Sequence, residues 1–253
     1  MTEEFKATLD PSILQEGVTH QGEDWYTIPE NMPIVNSLFY YNKDVLDAAG
    51  VTEIPKSYAE FIDACKKITE SGNGQVYGLI EGGKQLNRLD IMVRGMAGAA
   101  GGKIAQNAKV LTVDGRAPYD SEAMIGVMEL LDTLVKDGSI HPDTVNIAAP
   151  EAREMFAQGQ AGFLCQGMWC IPPWDQTYPD LNYGVMAVPT PDGTAMGGVQ
   201  QVESAPWMGI YKQSKHPKEA AEYLMALFSE DYNYQADCVE DGNYVSIVCL
   251  LYT

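Results

Sequence analysis

The chain predicts an α/β fold, and three observations carry that expectation. β-rich runs alternate with amphipathic helical runs along most of the length, the pattern of helices layered on a sheet. The 253 residues suffice for one large or two medium domains, and 45% of them are apolar. No internal repeat or low-complexity linker interrupts the alternation.

Each element has a local reason. VNSLFYYN (35–42) is a β-rich run ending at Asn42. Asn42 is an N-cap residue for a short helix KDVLDAA, which Gly50 stops. SYAEFIDACKKITESG opens with Ser57 and Glu60 at capping-box spacing, and its Phe61, Ile62, Cys65 and Ile68 share one face. VYGLI (76–80) is a strand. LNRLDIMVRGMAGAAGG is a helix that frays at its glycines. DSEAMIGVMELLDTLVKDG is the clearest helix, with Met124, Val127, Met128, Leu131, Leu134 and Val135 as its expected core stripe and Gly138 at its end. PEAREMFAQG is a further helix with Pro150 in its first turn. AGFLCQ, YGVMAV and WMGIY follow as strands. HPKEAAEYLMALFS closes the series, with Pro217 at N1 and Ala220, Leu224, Leu227 and Phe228 facing inward.

Composition excludes several classes of partner. A net charge of −19 opposes nucleic acid, whose phosphates need excess Lys and Arg, and it opposes an anionic membrane surface. No apolar run approaches the ~18 residues of a membrane span. The opening MTEEFKATLD has neither the basic start nor the apolar run of an export signal. Of the five cysteines, Cys65, Cys165 and Cys170 sit in apolar patterns and read as small core residues, in preference to a Cys165–Cys170 disulfide. Cys238 and Cys249 complete the set without a CxxC pair, so cysteine usage leaves the redox compartment open.

Catalytic signatures are missing from the sequence. His20, His141 and His216 have no metal-ligand spacing, and there is no GxSxG elbow. GNGQVYG (72–78) follows a helix and precedes a strand, the reverse of a phosphate loop, so Gly72 and Gly74 read as helix-end turn residues. No catalytic residue, metal or cofactor is therefore expected. What the sequence does offer is aromatic residues at chain breaks. Trp25, Trp169, Trp174 and Trp207 all fall beside prolines or glycines and near strand ends. In open α/β sheets ligands bind at the carboxyl ends of strands. An indole there presents a flat apolar face to a sugar ring while polar neighbours take its hydroxyls. For any one tryptophan the competing reading is a large core residue at a corner.

Three blocks carry a family likeness. They are YTIPENMPIVNSLFYYNKDVLDAAGVTEIPKSYAEFIDACKKI (26–68), FAQGQAGFLCQGMW (156–169), and NYGVMAVPTPDG with WMGIYKQSKHPKEAAEYLMALFS. In this order and spacing the chain resembles the extracellular solute-binding proteins of ABC importers, in particular the sugar-binding, maltose-binding-protein-like group. The resemblance implies a two-lobe periplasmic-binding-protein-like (type II) α/β architecture with ligand held in the cleft by hinge closure. It implies a stacking role for Trp169, in the GxW position of the second block. By position it also implies ligand contacts for Glu81 after the strand VYGLI, Asn36 at a lobe crossing, Trp207 after the return crossing, and Asp90. Tyr26 and Tyr41 are expected to serve packing.

The resemblance also implies partners. The ligand would be a mono- or oligosaccharide, the downstream partner the transmembrane permease subunits of an ABC importer, and the acting species a monomer outside the cytoplasm. A polyamine or other cation, boxed by aromatics and carboxylates, is the alternative ligand, and a glycosidase is the alternative class. Against the family pattern the first lobe looks incomplete and the chain reads as an internal fragment. The expected boundaries are 1–34 for a remnant of the N-terminal lobe, 35–190 for the C-terminal lobe, 191–235 for the return, and 236–253 for a tail. The tail's CLLYT reads like one frame of a sequencing adapter. A chain lacking most of one cleft wall is expected to bind sugar feebly.

Overall fold

The computed structural model describes residues 3–9, 11, 19–29, 34–35, 37–101, 121–194, 202–203 and 207–228. Its contacts divide the chain into two units, Met1–Ile34 with Glu203–Thr253, and Val35–Val202.

The unit Val35–Val202 is built on a four-stranded sheet. Its strands are β5 (Leu38–Asn42), β6 (Tyr77–Ile80), β7 (Ala161–Gln166) and β8 (Tyr183–Met186), in the order β6-β7-β5-β8. β6 and β7 run parallel, whereas β5 is antiparallel to both β7 and β8. Registers pair Phe39 with Cys165, Tyr40 with Leu164, and Ile80 with Leu164. All six residues of β7 are buried, as in a central strand covered on both faces. Alternation along the strands sorts the core into two layers. Phe39, Leu79, Phe163 and Cys165 join one cluster, and Tyr40, Ile80 and Leu164 join the other.

Helices cover both layers. α2 (Lys43–Ala48) starts where the Asn42 side chain accepts from the Val45 N–H at 3.1 Å. α3 (Tyr58–Ser71) has the expected capping box: Ser57 Oγ accepts from the Glu60 N–H, and Glu60 Oε2 accepts from the Ser57 N–H. Gly72 caps its end, and Gly74 adopts φ +77°, a turn conformation that glycine favours. α4 (Leu86–Ala99) ends two residues before Gly101, and α6 (Ala149–Ala157) carries Pro150 in its first turn. A 3-10 turn, Met168–Cys170, leads into α7 (Ile171–Thr177).

The stripe of α5 (Glu122–Lys136) differs from expectation. Met124, Val127, Leu130 and Leu134 are buried, while Met128 and Val135 are 53% and 62% exposed. The helix carries apolar residues around more than one face. The core selects the arc spaced 3-3-4, and Met128 and Val135, seven apart, lie together on the next arc. Cys65, Cys165 and Cys170 are free and buried, as read from sequence.

The other unit has shorter elements. These are α1 (Glu3–Thr8), the hairpin of β1 (His20–Gln21) and β2 (Asp24–Trp25) turning at Gly22 with φ +59°, and α8 (Pro217–Leu227). β3 (Ile28–Pro29) pairs with β10 (Trp207–Met208). β10 stops well short of the expected WMGIY run, and Ile210 and Tyr211 are exposed. Leu9, Ile28, Leu227 and Phe228 form its described core cluster. A last ladder joins β4 (Ile34–Val35) to β9 (Val202–Glu203), the chain positions at which the division falls.

Candidate ligand site at the carboxyl ends of β6 and β7

The parallel pair β6–β7 delivers two chain segments to one end of the sheet. β6 ends at Ile80 and hands over to Glu81. β7 ends at Gln166 and hands over to Gly167 and Trp169. This is the end at which open α/β sheets hold ligands.

Glu81 has no exposure to solvent. Its Oε1 accepts from the Gly82 N–H at 2.8 Å and from Gln166 Nε2 at 2.7 Å. Arg88, on the first turn of α4 and itself buried, brings Nε to 3.6 Å from the same oxygen. Arg88 Nη2 donates to the Cys165 carbonyl at 2.9 Å. Glu81 Oε2 is buried without a hydrogen-bond partner. Burial pushes the Glu81 carboxyl up to about 7, against the opposing pull of Arg88, the Gly82 N–H and Gln166.

Trp169 sits in the 3-10 turn and is half-buried. The Arg88 Cζ lies over its ring, 5.7 Å from the centroid, within cation–π range. The ring edge rests against Gly167, where an added Cβ would stand 2.1 Å from Cζ3. Gly167 has ordinary extended φ and ψ, so space rather than backbone conformation demands a glycine there. Its carbonyl is held by the buried Tyr40 hydroxyl at 3.0 Å, which fixes the start of the turn.

The remaining sequence-predicted residues are distributed differently. Asp90 lies on α4 with its side chain 42% exposed, and Arg94 grips its Oδ2 at 2.7 and 2.8 Å. Trp207 pairs through its backbone with Pro29 in the other unit, and its side chain lies outside the described residues. Asn36 also lies outside them. Tyr26 is 54% exposed, and Tyr41 is half-buried against the core of its unit with its ring over Gly184. Arg88 thus brings Glu81 and Trp169 together.

Arg88 and Gln166 are the members that sequence reading missed. Each carried a signal: a cation on the apolar helix LNRLDIM, and an amide closing the apolar strand AGFLCQ. A charge in such a setting needs a buried partner, and Glu81 supplies it.

Among the described residues no group of His, Cys, Asp and Glu is arranged to hold a metal, and no helix is long and apolar enough to cross a membrane. Comparison with known proteins matches residues 2–234 to the bacterial extracellular solute-binding protein family. The chain belongs to that family. A Brucella abortus (strain 2308) protein, named only as a binding protein, is 26% identical over 239 residues, covering 92% of this chain and 53% of its own length. The diacetylchitobiose binding protein DasA of Streptomyces coelicolor is 24% identical over 209 residues, 79% of this chain and 44% of its own. Maltose-bound MalE3 of T. maritima superposes with a TM-score of 0.72 at 20% identity, covering 99% of this chain and 61% of that one.

The architecture is therefore the α/β fold of two-lobe solute-binding proteins. The chain spans about half the length of the relatives matched by sequence.

Proposed function

We propose that this family member captures a carbohydrate outside the cytoplasm and presents it to the permease subunits of an ABC importer, with ligand closure by hinge motion of two lobes. The observation that carries the reading is Trp169: an indole only partly buried, at the rim of a core cluster and the carboxyl ends of two parallel strands, with a buried polar cluster behind it. Stacking on such a face together with several hydroxyl hydrogen bonds corresponds to micromolar affinity, about −8 kcal/mol. Relatives named for diacetylchitobiose and maltose support the same ligand class. The reading assigns stacking to Trp169, a hydroxyl hydrogen bond to Asn36, and ligand contacts to Asp90 and Trp207. Glu81 acts from behind the platform, since its carboxylate is turned to Arg88 and Gln166. No catalytic step is involved, and a single copy acts alone.

The cationic alternative fares worse at this ring. A guanidinium already lies over Trp169, so a polyamine stacking there would meet like charge.

Titration calorimetry on the intact protein tests the reading with maltose, diacetylchitobiose and spermidine, alongside an assay for release of nitrophenol from nitrophenyl glycosides. Saturable sugar binding that weakens at least about tenfold in Trp169→Ala is the expected result. Binding of spermidine with no response to either sugar, or steady nitrophenol release, would overturn it.

A further inference from the structure

We propose that Arg88 is a positioning residue for the ligand platform: hydrogen-bonded to the Cys165 carbonyl and paired by charge with Glu81, it lies over one face of the Trp169 indole and fixes where that ring sits at the end of β7. The proposal takes its functional meaning from the carbohydrate reading, while the placement of the ring can be tested without any ligand.

Four observations converge on it. Arg88 is held by one hydrogen bond, Nη2 to the Cys165 carbonyl at 2.9 Å, and by its charge, with Nε 3.6 Å from Glu81 Oε1 but without a hydrogen-bond partner of its own. A planar guanidinium with one donor bonded and its charge beside a buried carboxylate has less rotational freedom than a lysine ammonium would retain. Its Cζ lies over the indole at 5.7 Å from the centroid. Glu81 is itself fixed by Gly82 and Gln166, so the tether does not swing. From the side, Gly167 leaves room for the ring edge and for nothing larger, because an added Cβ would meet Cζ3 at 2.1 Å. The indole is thus located by a cation over one face and a glycine at its edge. Arg88 is buried, so it acts through Trp169 rather than by touching ligand.

The test isolates the emission of residue 169 as the difference between each protein and its Trp169→Phe partner. The proteins are the wild type, Arg88→Lys, Arg88→Met, and the double variant Glu81→Gln/Arg88→Met. The double variant leaves no unpaired carboxylate in the core and keeps the test open should Arg88→Met fail to fold. With Arg88 removed, the Trp169 component should shift to the red and its acrylamide quenching constant should rise about twofold, as the uncovered ring gains solvent. Arg88→Lys should fall between, since an ammonium keeps the charge but not the planar group that covers the ring.

A purely structural Arg88 would lower the urea midpoint and leave the Trp169 difference spectrum and its quenching unchanged in the folded variants. That result overturns the proposal. A shifted Trp169 signal alongside sugar calorimetry without heat would uphold the positioning role and remove the carbohydrate reading, so the two failures are distinct.

Discussion

Trp169 and Trp174 stand five residues apart in GMWCIPPW, yet the fold treats them in opposite ways. Trp174, on α7, is 3% exposed. Its ring is boxed by Tyr40 at 5.0 Å, Phe156 at 5.3 Å and Tyr183 at 5.4 Å between centroids. Trp169 is half-buried, with an arginine over its face and a buried carboxylate behind that arginine. The first setting is aromatic and insensitive to charge. The second is polar-backed and only partly buried, at the margin of the same cluster. One short segment therefore supplies a core anchor and the proposed binding surface, and the anchor holds the helix into which the Trp169 turn leads.

The largest effect should come from the anchor. Trp174→Ala removes a fully enclosed indole from three aromatic neighbours and is expected to cost about 3–5 kcal/mol of unfolding free energy, the range for large-to-small changes in a packed core. Urea unfolding followed by circular dichroism measures it. A cost below about 1 kcal/mol would mean that the box collapses without strain, and the contrast between the two tryptophans would fail.

A smaller effect, confined to the other side of the comparison, follows from Glu81. Its carboxyl titrates near 7 in the folded protein because burial penalises the charged form, against an ordinary value of 4.5 when unfolded. Below about pH 4.5 both states hold the proton and the group contributes no pH dependence. Between about 4.5 and about 7 the folded state keeps a proton that the unfolded state has released, so stability falls as pH rises through that window. Above about 7 both are ionised and the penalty is constant, on the order of 3 kcal/mol. Glu81→Gln should flatten this slope while leaving the slopes due to other groups. Parallel pH profiles for wild type and variant would show that Arg88 and Gln166 fully offset the burial of the carboxylate.

Much of this was legible in the sequence for physical reasons that act locally. The capping box at Ser57 and Glu60, the Asn42 cap, and the alternation in LFYYN and AGFLCQ each follow from a residue and its near neighbours. Trp169 was legible because a glycine and two prolines surround it at a strand end. What stayed hidden depends on contacts made across the fold. Arg88 meets the Cys165 carbonyl 77 positions away, and Gln166 meets Glu81 across 85. No periodicity encodes such a meeting. The exposed Met128 and Val135 were misplaced for a related reason: a helix apolar on two arcs does not say which arc its neighbours will cover. Glu81 was correctly placed at the strand end, but position along a chain cannot tell whether a carboxylate faces outward or into a buried cation.

The smallest stability effect should belong to Trp169 itself, and it is the sharpest test of the comparison. Trp169→Ala leaves the Tyr40–Trp174 box intact and removes a ring that is already partly in water. The lost burial and the lost contact with Arg88 should together cost about 2 kcal/mol. Differential scanning calorimetry on Trp169→Ala and Trp174→Ala side by side reads the contrast directly. A ring kept for packing would yield similar losses at both positions, whereas a ring kept for contact yields a small loss at 169 and a large one at 174. Equal losses would place Trp169 in the core after all, and the case for a stacking platform at the end of β7 would go with it.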